Sequence, residues 1–441
     1  MNRCLKLGLV ICSCFIFSSP VTAQRMLTVE EAIAAALKSN YDILLVKNDS
    51  TAYSIDNSYA KYAFFPRLNA STAVLFNNNG QKQELADGTK RQSSGLRSSN
   101  ISASLNLNWT LFDGFKMFAT RDKLAEFVRL GEYAVKNQVV NTVAAVITNY
   151  YNIVSQKQQL KAILDQMSIN EERVSLAEKK FSVGLGAKPE LLQAKLDLNA
   201  QKAAVLQQQT LIEQLKEQLN QLTVIPVGTN YEVADSIPIN TGLISGDIFS
   251  NAEKNNPSLL LAKKNIDIYT LTLKERKAER FPVVSFNSAY NFSKTSNQTV
   301  INNFTPLFNR NAGFNYGLSA SIPIFNGYNT RRLIQQAQLD IDYQKIVYQN
   351  QKTKIDLAIS SAFKDYDYQK KALALEEDNI VMAKENTYIA VERLRLGIST
   401  YLELRETQKT LEAAYSRLIA ARYNTKVAET ELLRLRGDLV K

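Results

Sequence analysis

Paired carboxylates are the residues of this chain best placed to do chemistry. Glu403 and Glu406 stand three positions apart in LRLGISTYLELRETQ, a spacing that puts both on one face of a helix. Arg405 lies between them. Glu190 holds the matching place in FSVGLGAKPELLQAK, where Gln193 replaces the second acid. Like charges brought together shift one another's titration and attract cations. The same acids would also suit a plain helix start, where Glu complements the positive end of the helix. Histidine is absent from all 441 residues, which excludes a His base, a His triad and a His-ligated metal. GLGAKPE lacks the Lys-Ser/Thr ending and the preceding strand of a phosphate loop. No carboxylate pair is distinguished by more than a helix-surface position, so the chain reads as a non-enzyme, with no cofactor expected.

The three cysteines, Cys4, Cys12 and Cys14, all fall within the first 14 residues. That start has a basic Arg3/Lys6 region, an apolar run from Leu7 to Phe17 and small residues through Ala23, the pattern of an export signal cut before Gln24. The run is too short for the roughly 20 residues of a membrane-spanning helix. Cleavage before a lipidated Cys14 is the alternative. A chain cut at Gln24 carries no thiol, so disulfides and thiolate chemistry go with the signal. Net charge is +11, and +9 once Arg3 and Lys6 leave. The basic residues alternate with Glu along helices, as in KTLEAAYSRLIAARYNTKVAETELLRLR, so no nucleic acid is expected as a partner.

The elements that would position the acids occur twice. Asn40 in LKSNYDIL corresponds to Asn256 in EKNNPSLL, and Phe65-Pro66 to Phe281-Pro282, each 216 residues apart. WTLFDGF corresponds to IPIFNGY, and Gly184 to Gly397, at 213. The two halves are therefore one duplicated unit. Each begins with helices, which Thr28 and Glu31 start as a capping box in the first half. After Pro66 the period changes to two. Ile101, Ala103, Leu105, Leu107, Trp109 and Leu111 are apolar, and the residues between them are polar. NYGLSASIPIF repeats the pattern with Tyr316, Leu318, Ala320, Ile322 and Ile324. With partner strands at Arg67–Asn77 and Pro282–Phe292, each half carries one β-hairpin with a long polar loop at its tip.

Helical patterns without proline follow, from about Lys116 to Phe181 and from Thr330 to Leu396. Sixty-odd residues span on the order of 100 Å as helix. Each then turns at a glycine and returns through a helix of about 35 residues, to about Gln221 and Arg436. Four strands cannot close a barrel, whereas three chains would supply twelve and leave no open edge.

In the order and spacing of these features the chain resembles the TolC-like outer membrane efflux proteins. The motifs are the Phe-Pro entries to the hairpins, Leu-Phe-Asp-Gly and Ile-Phe-Asn-Gly before the long helices, and the turns Val183-Gly184-Leu185 and Leu396-Gly397-Ile398. The resemblance implies a mixed α and β membrane protein, a homotrimer with a 12-stranded β-barrel in the outer membrane of a Gram-negative bacterium and a helical barrel through the periplasm. It implies an exit duct that a periplasmic adaptor joins to an inner-membrane pump of RND, ABC or MFS type. In such a protein the two turns are adaptor-docking tips, and Glu403, Glu406 and Glu190 narrow the pore. Trp109 fits a membrane-interface belt facing outer-membrane lipid, or ordinary packing. The tip motifs would serve equally as helix C-caps.

The corresponding division is a signal at 1–23, helices at 24–65, a hairpin at 66–113, a helical hairpin at 114–222 with its tip at 182–189, and an equatorial linker at 223–250. The second half follows with helices at 251–281, a hairpin at 282–326, a helical hairpin at 327–436 with its tip at 395–402, and a tail at 437–441. The rival is an exported trimeric coiled-coil surface or adaptor protein without a pore. It would show sustained heptads, or a lipoyl-like domain, in place of duplicated hairpins.

Overall fold

The computed structural model describes residues 25–240 and 242–439. The export signal, its cysteines, the Cys14 alternative and the last two residues of the tail lie outside them. In chain order the elements are β1 (Arg25–Met26), α1 (Val29–Ser39), α2 (Tyr41–Tyr59), a 3-10 turn (Ala60–Phe64), β2 (Arg67–Glu84), β3 (Lys90–Phe112), α3 (Lys116–Ser182) and α4 (Lys188–Thr223). The second half adds β4 (Tyr231–Glu232), α5 (Ser245–Asn255), α6 (Pro257–Ala278), β5 (Val283–Asn297), β6 (Phe308–Ser321), α7 (Asn329–Arg395) and α8 (Tyr401–Arg436). Both long helices, α3 and α7, have 67 residues, and both returning helices have 36. Among the described residues no helix is long and apolar enough to cross a membrane. The chain divides into two compact units, to both of which α3 and α7 contribute.

One unit holds residues 41–141 and 244–362 with the described residues from 432 on. Its sheet has the order β2-β3-β5-β6, antiparallel throughout, so β3 and β5 join the two hairpins. Register fixes the faces, because residues directly opposite share a side. Leu68, Leu107, Ser288 and Tyr316 form one row, and Ala70, Leu105, Tyr290 and Phe314 the next on the same face. The alternate rows are polar: Ser71 Oγ lies 2.7 Å from Ser104 Oγ, and Asn108 Nδ2 donates to Asn287 Oδ1 at 2.6 Å. Asn287 donates in turn to Ser319 Oγ at 2.8 Å.

Two sequence expectations about these strands fail. The polar segments after Asn77 are strand rather than loop: β2 and β3 pair as far as Glu84 and Lys90, and only Leu85–Thr89 turns. Asn, Gln and Ser lower strand propensity, but a ladder already begun on apolar residues carries them. At the other end β6 stops at Ser321, short of Ile322 and Ile324, because Pro323 has no N–H for the ladder.

The other unit takes the described residues up to Asn40, with 142–243 and 363–431. Its main core packs Ala32 and Ala36 of α1, Val146, Tyr150 and Ile153 of α3, and Leu215 and Leu219 of α4 against Tyr231 and Val233. Tyr150 ties the layers together, donating to the Leu27 carbonyl at 2.8 Å and accepting from the Ala234 N–H at 3.1 Å. Beside it β1 and β4 form a two-residue parallel pair. Thr28 caps α1 as expected, accepting from the Glu31 N–H at 3.2 Å.

The duplicated asparagines do one job twice. Asn40 sits at the break between α1 and α2 and donates from Nδ2 to the Leu222 carbonyl near the end of α4, at 2.9 Å. Asn256 sits between α5 and α6 and donates to the Leu435 carbonyl near the end of α8, at 2.8 Å. Each satisfies one of the carbonyls a helix end leaves open.

Candidate functional site

Both tips are built by the same backbone device. At the end of α3 the Gly184 N–H reaches the Phe181 carbonyl and the Leu185 N–H the Lys180 carbonyl, at 3.1 and 2.9 Å. At the end of α7 the Gly397 N–H reaches Leu394 and the Ile398 N–H reaches Arg393, at 3.1 and 2.9 Å. This six-to-one closure needs a left-handed residue at its centre. Gly184 and Gly397 supply it with φ of +76° and +75°. A Cβ at either glycine would meet open space, so backbone conformation alone selects glycine there.

The turns present matching apolar pairs. Val183 and Leu185 are 67% and 82% exposed, and Leu396 and Ile398 are 72% and 67% exposed. The chain leaves the first tip through Pro189, in the first turn of α4 where its missing N–H costs nothing. It leaves the second through Thr400, whose hydroxyl accepts from the Glu403 N–H at 3.3 Å.

Within one chain the three candidate acids have separate surroundings. Glu403 folds back to α7, accepting from Arg393 at 2.8 Å and from the Ser399 hydroxyl at 2.6 Å. Glu406 faces outward, with only Lys409 near it at 4.0 Å. Glu190 lines a cleft with Gln193, Tyr401 and Arg405. Arg405 reaches toward Asp197 at 3.8 Å rather than toward either neighbouring glutamate.

The centre of this region is a residue that spacing did not single out. Arg173 of α3 is only 5% exposed, and its guanidinium is paired to Asp197 of α4. It also donates to Gln408 of α8 at 3.4 Å, and Gln408 donates to Asn170 of α3 at 3.3 Å. Gln193 completes Asp197 at 2.8 Å. Burial alone would raise the Asp197 carboxyl, but hydrogen bonds from Arg173 and Gln193 outweigh it and hold the group below its ordinary range. The network joins α3, α4 and α8 beside a cavity of about 290 Å³ that also meets Gln166. No sequence signal separated Arg173 from the many cations on helix surfaces; a Gln, Asn and Arg stripe on α3 was the available trace.

Trp109 lies in a row with Phe286 and Leu318 on the apolar face of the sheet. Its indole N–H donates to the Phe64 carbonyl at 2.7 Å, fixing β3 where the chain turns toward α3.

Comparison with known proteins accords with this geometry. The family model "Outer membrane efflux protein" matches residues 32–223 and 248–438, one stretch in each half. The outer membrane efflux protein BepC of Brucella suis is 23% identical over 347 residues, covering 76% of this chain and 72% of its own. The outer membrane protein TolC of Escherichia coli K12 is 23% identical over 364 residues, covering 79% and 72%. Among solved structures, the Campylobacter jejuni CmeC outer membrane channel superposes with a TM-score of 0.76 at 16% identity, covering 93% of this chain and 85% of that one.

Proposed function

We infer, for a chain that belongs to the outer membrane efflux protein family, that it is the outer-membrane exit duct of a tripartite efflux system. Its strands lie in the outer membrane and its helices extend into the periplasm. The observation that carries this reading is the sheet. It has one apolar face, one polar face and two outer strands, β2 and β6, each paired on one side only. Open edges are templates for pairing with another strand, and in lipid every backbone group must be paired. Three copies joined edge to edge give twelve strands, with the Asn- and Ser-rich face around water and the Leu, Phe and Tyr rows toward lipid. Trp109 then stands at the interface level of the lipid-facing side.

The tips are the docking points for a periplasmic adaptor, through Val183, Gly184, Leu185, Leu396, Gly397 and Ile398. Four large apolar side chains on two sharp turns are costly in water unless a partner covers them. The pump behind the adaptor is of RND, ABC or MFS type. Glu190, Glu403 and Glu406 narrow the pore, with Glu406 the most open to a passing cation. The deciding experiment is the mass of the protein extracted from outer membranes, corrected for bound detergent. Three chains per particle are expected; a monomer, or a protein soluble without detergent, would overturn the duct.

A further inference from the structure

The four strands carry a single carboxylate, Glu84, which is paired to Lys90 at 3.5 Å. Their other cations therefore find little compensation within the sheet. Two of them stand directly opposite each other, Lys294 on β5 and Arg310 on β6, in a row whose remaining members are Val74 and Ile101. Opposed residues in antiparallel strands have Cβ atoms about 5 Å apart, and like charges there are destabilising. Both heads lie over aromatic rings, Lys294 Nζ at 5.6 Å from the Phe308 centroid and Arg310 Cζ at 5.4 Å from that of Phe292. Phe308 stands opposite Ser296 and Phe292 opposite Ala312, so the rings draw the two heads to opposite sides of their row, as their mutual repulsion favours. By register and alternation this row belongs to the apolar face, as does Arg97 of β3, four residues farther along and also exposed.

The level of the row identifies what meets it. Along β3, Ile101 is eight residues from Trp109, on the side away from α3. At about 3.3 Å per residue and a tilt near 40°, that is about 20 Å of membrane thickness. The apolar band of such a barrel is about 25 Å tall. With Trp109 at the periplasmic boundary, Lys294 and Arg310 fall at the outer boundary, at head-group level and facing lipid.

We propose that Lys294 and Arg310, with Arg97 beyond them, form a binding site for the phosphorylated glycolipid of the outer leaflet, whose phosphate draws the two heads off their rings and toward each other. This rests on the reading that the apolar face meets lipid. A phosphate supplies several acceptor oxygens, so it can bond both heads and remove their mutual repulsion.

The test uses the full-length protein in detergent and in nanodiscs, with bisphosphorylated lipid A, dephosphorylated lipid A and phosphatidylethanolamine as probes. Native mass spectrometry reads bound lipid, and thermal unfolding reads the repulsion. Lipid A should bind the natural protein and raise its Tm. The K294Q/R310Q variant should bind it about tenfold or more weakly, as loss of charge-assisted bonds requires. It should also be the more stable of the two before lipid is added. Equal binding of lipid A by the variant, or equal binding of the dephosphorylated form by the natural protein, overturns the site and leaves the duct standing. A natural protein that fails to enter nanodiscs at all removes the membrane reading and the site together. Phosphatidylethanolamine should not distinguish the two proteins, and a tenfold loss there would point to general lipid contact instead.

Discussion

Arg173 shows how a single side chain can hold three helices. Its charge is nearly buried, and the Asp197 carboxylate, Gln408 and Asn170 form its surroundings. Arg173→Ala would leave those partners short of a donor, at about 1–3 kcal/mol. Faster amide exchange across α3 beyond Gln166 and across the first turns of α4 is expected, and unchanged exchange would mean the network holds nothing. The pH dependence follows from the direction of the Asp197 shift. A carboxyl whose folded pKa lies below the ordinary 3.8 contributes fully above the unfolded value, and loses that contribution as pH falls through the folded one. Protection in α3 and α4, corrected for intrinsic exchange, should therefore be alike at pH 7 and pH 5 and decline only below about pH 4. Loosening between pH 7 and 5 would mean that Asp197 does not set the pH dependence.

At the scale of elements, the tip turns separate into a backbone requirement and a surface. Gly184→Ala places a Cβ on a left-handed residue, at about 1 kcal/mol, yet leaves Val183 and Leu185 in place. Leu185→Asp keeps the turn and spoils the apolar pair. If the tip docks an adaptor, Leu185→Asp should lower export severely and Gly184→Ala only slightly. The reverse order in an export assay would make the turn a helix cap and nothing more. The four longest helices, their ends within about two residues, and both glycine turns were legible, because proline, glycine and a 3.6-residue period act locally; α2 instead gives way to a 3-10 turn after Tyr59, short of Phe65, and α5 begins at Ser245, inside the segment read as linker. The strand cores were legible for the same reason, through strict alternation from Ile101 to Leu111. The outer parts of β2 and β3 were not, since their polar residues look like loop, and a partner strand alone decides that they pair. Nor was the Arg173 network, because residues 24 and 235 positions away complete it.

For the whole molecule, duplication is the governing fact, and Asn40 and Asn256 are its most repeated contact. Replacing either by Ala strands a helix-end carbonyl, at about 1–2 kcal/mol each. The two losses should add in thermal unfolding, since the two side chains meet different helix ends. Marked non-additivity would mean that the halves do not close independently. These contacts tie the chain into two successive rings, the joined positions lying 182 and 179 residues apart. The linker between them belongs to neither ring. A gene cut after Pro238 leaves both rings whole and keeps β4 on β1. Residues 1–238 and 239–441, made as separate polypeptides with an export signal on each, should reassemble, whereas a cut inside α3 should not. The protein is written as one gene, yet its ties would let it be inherited as two.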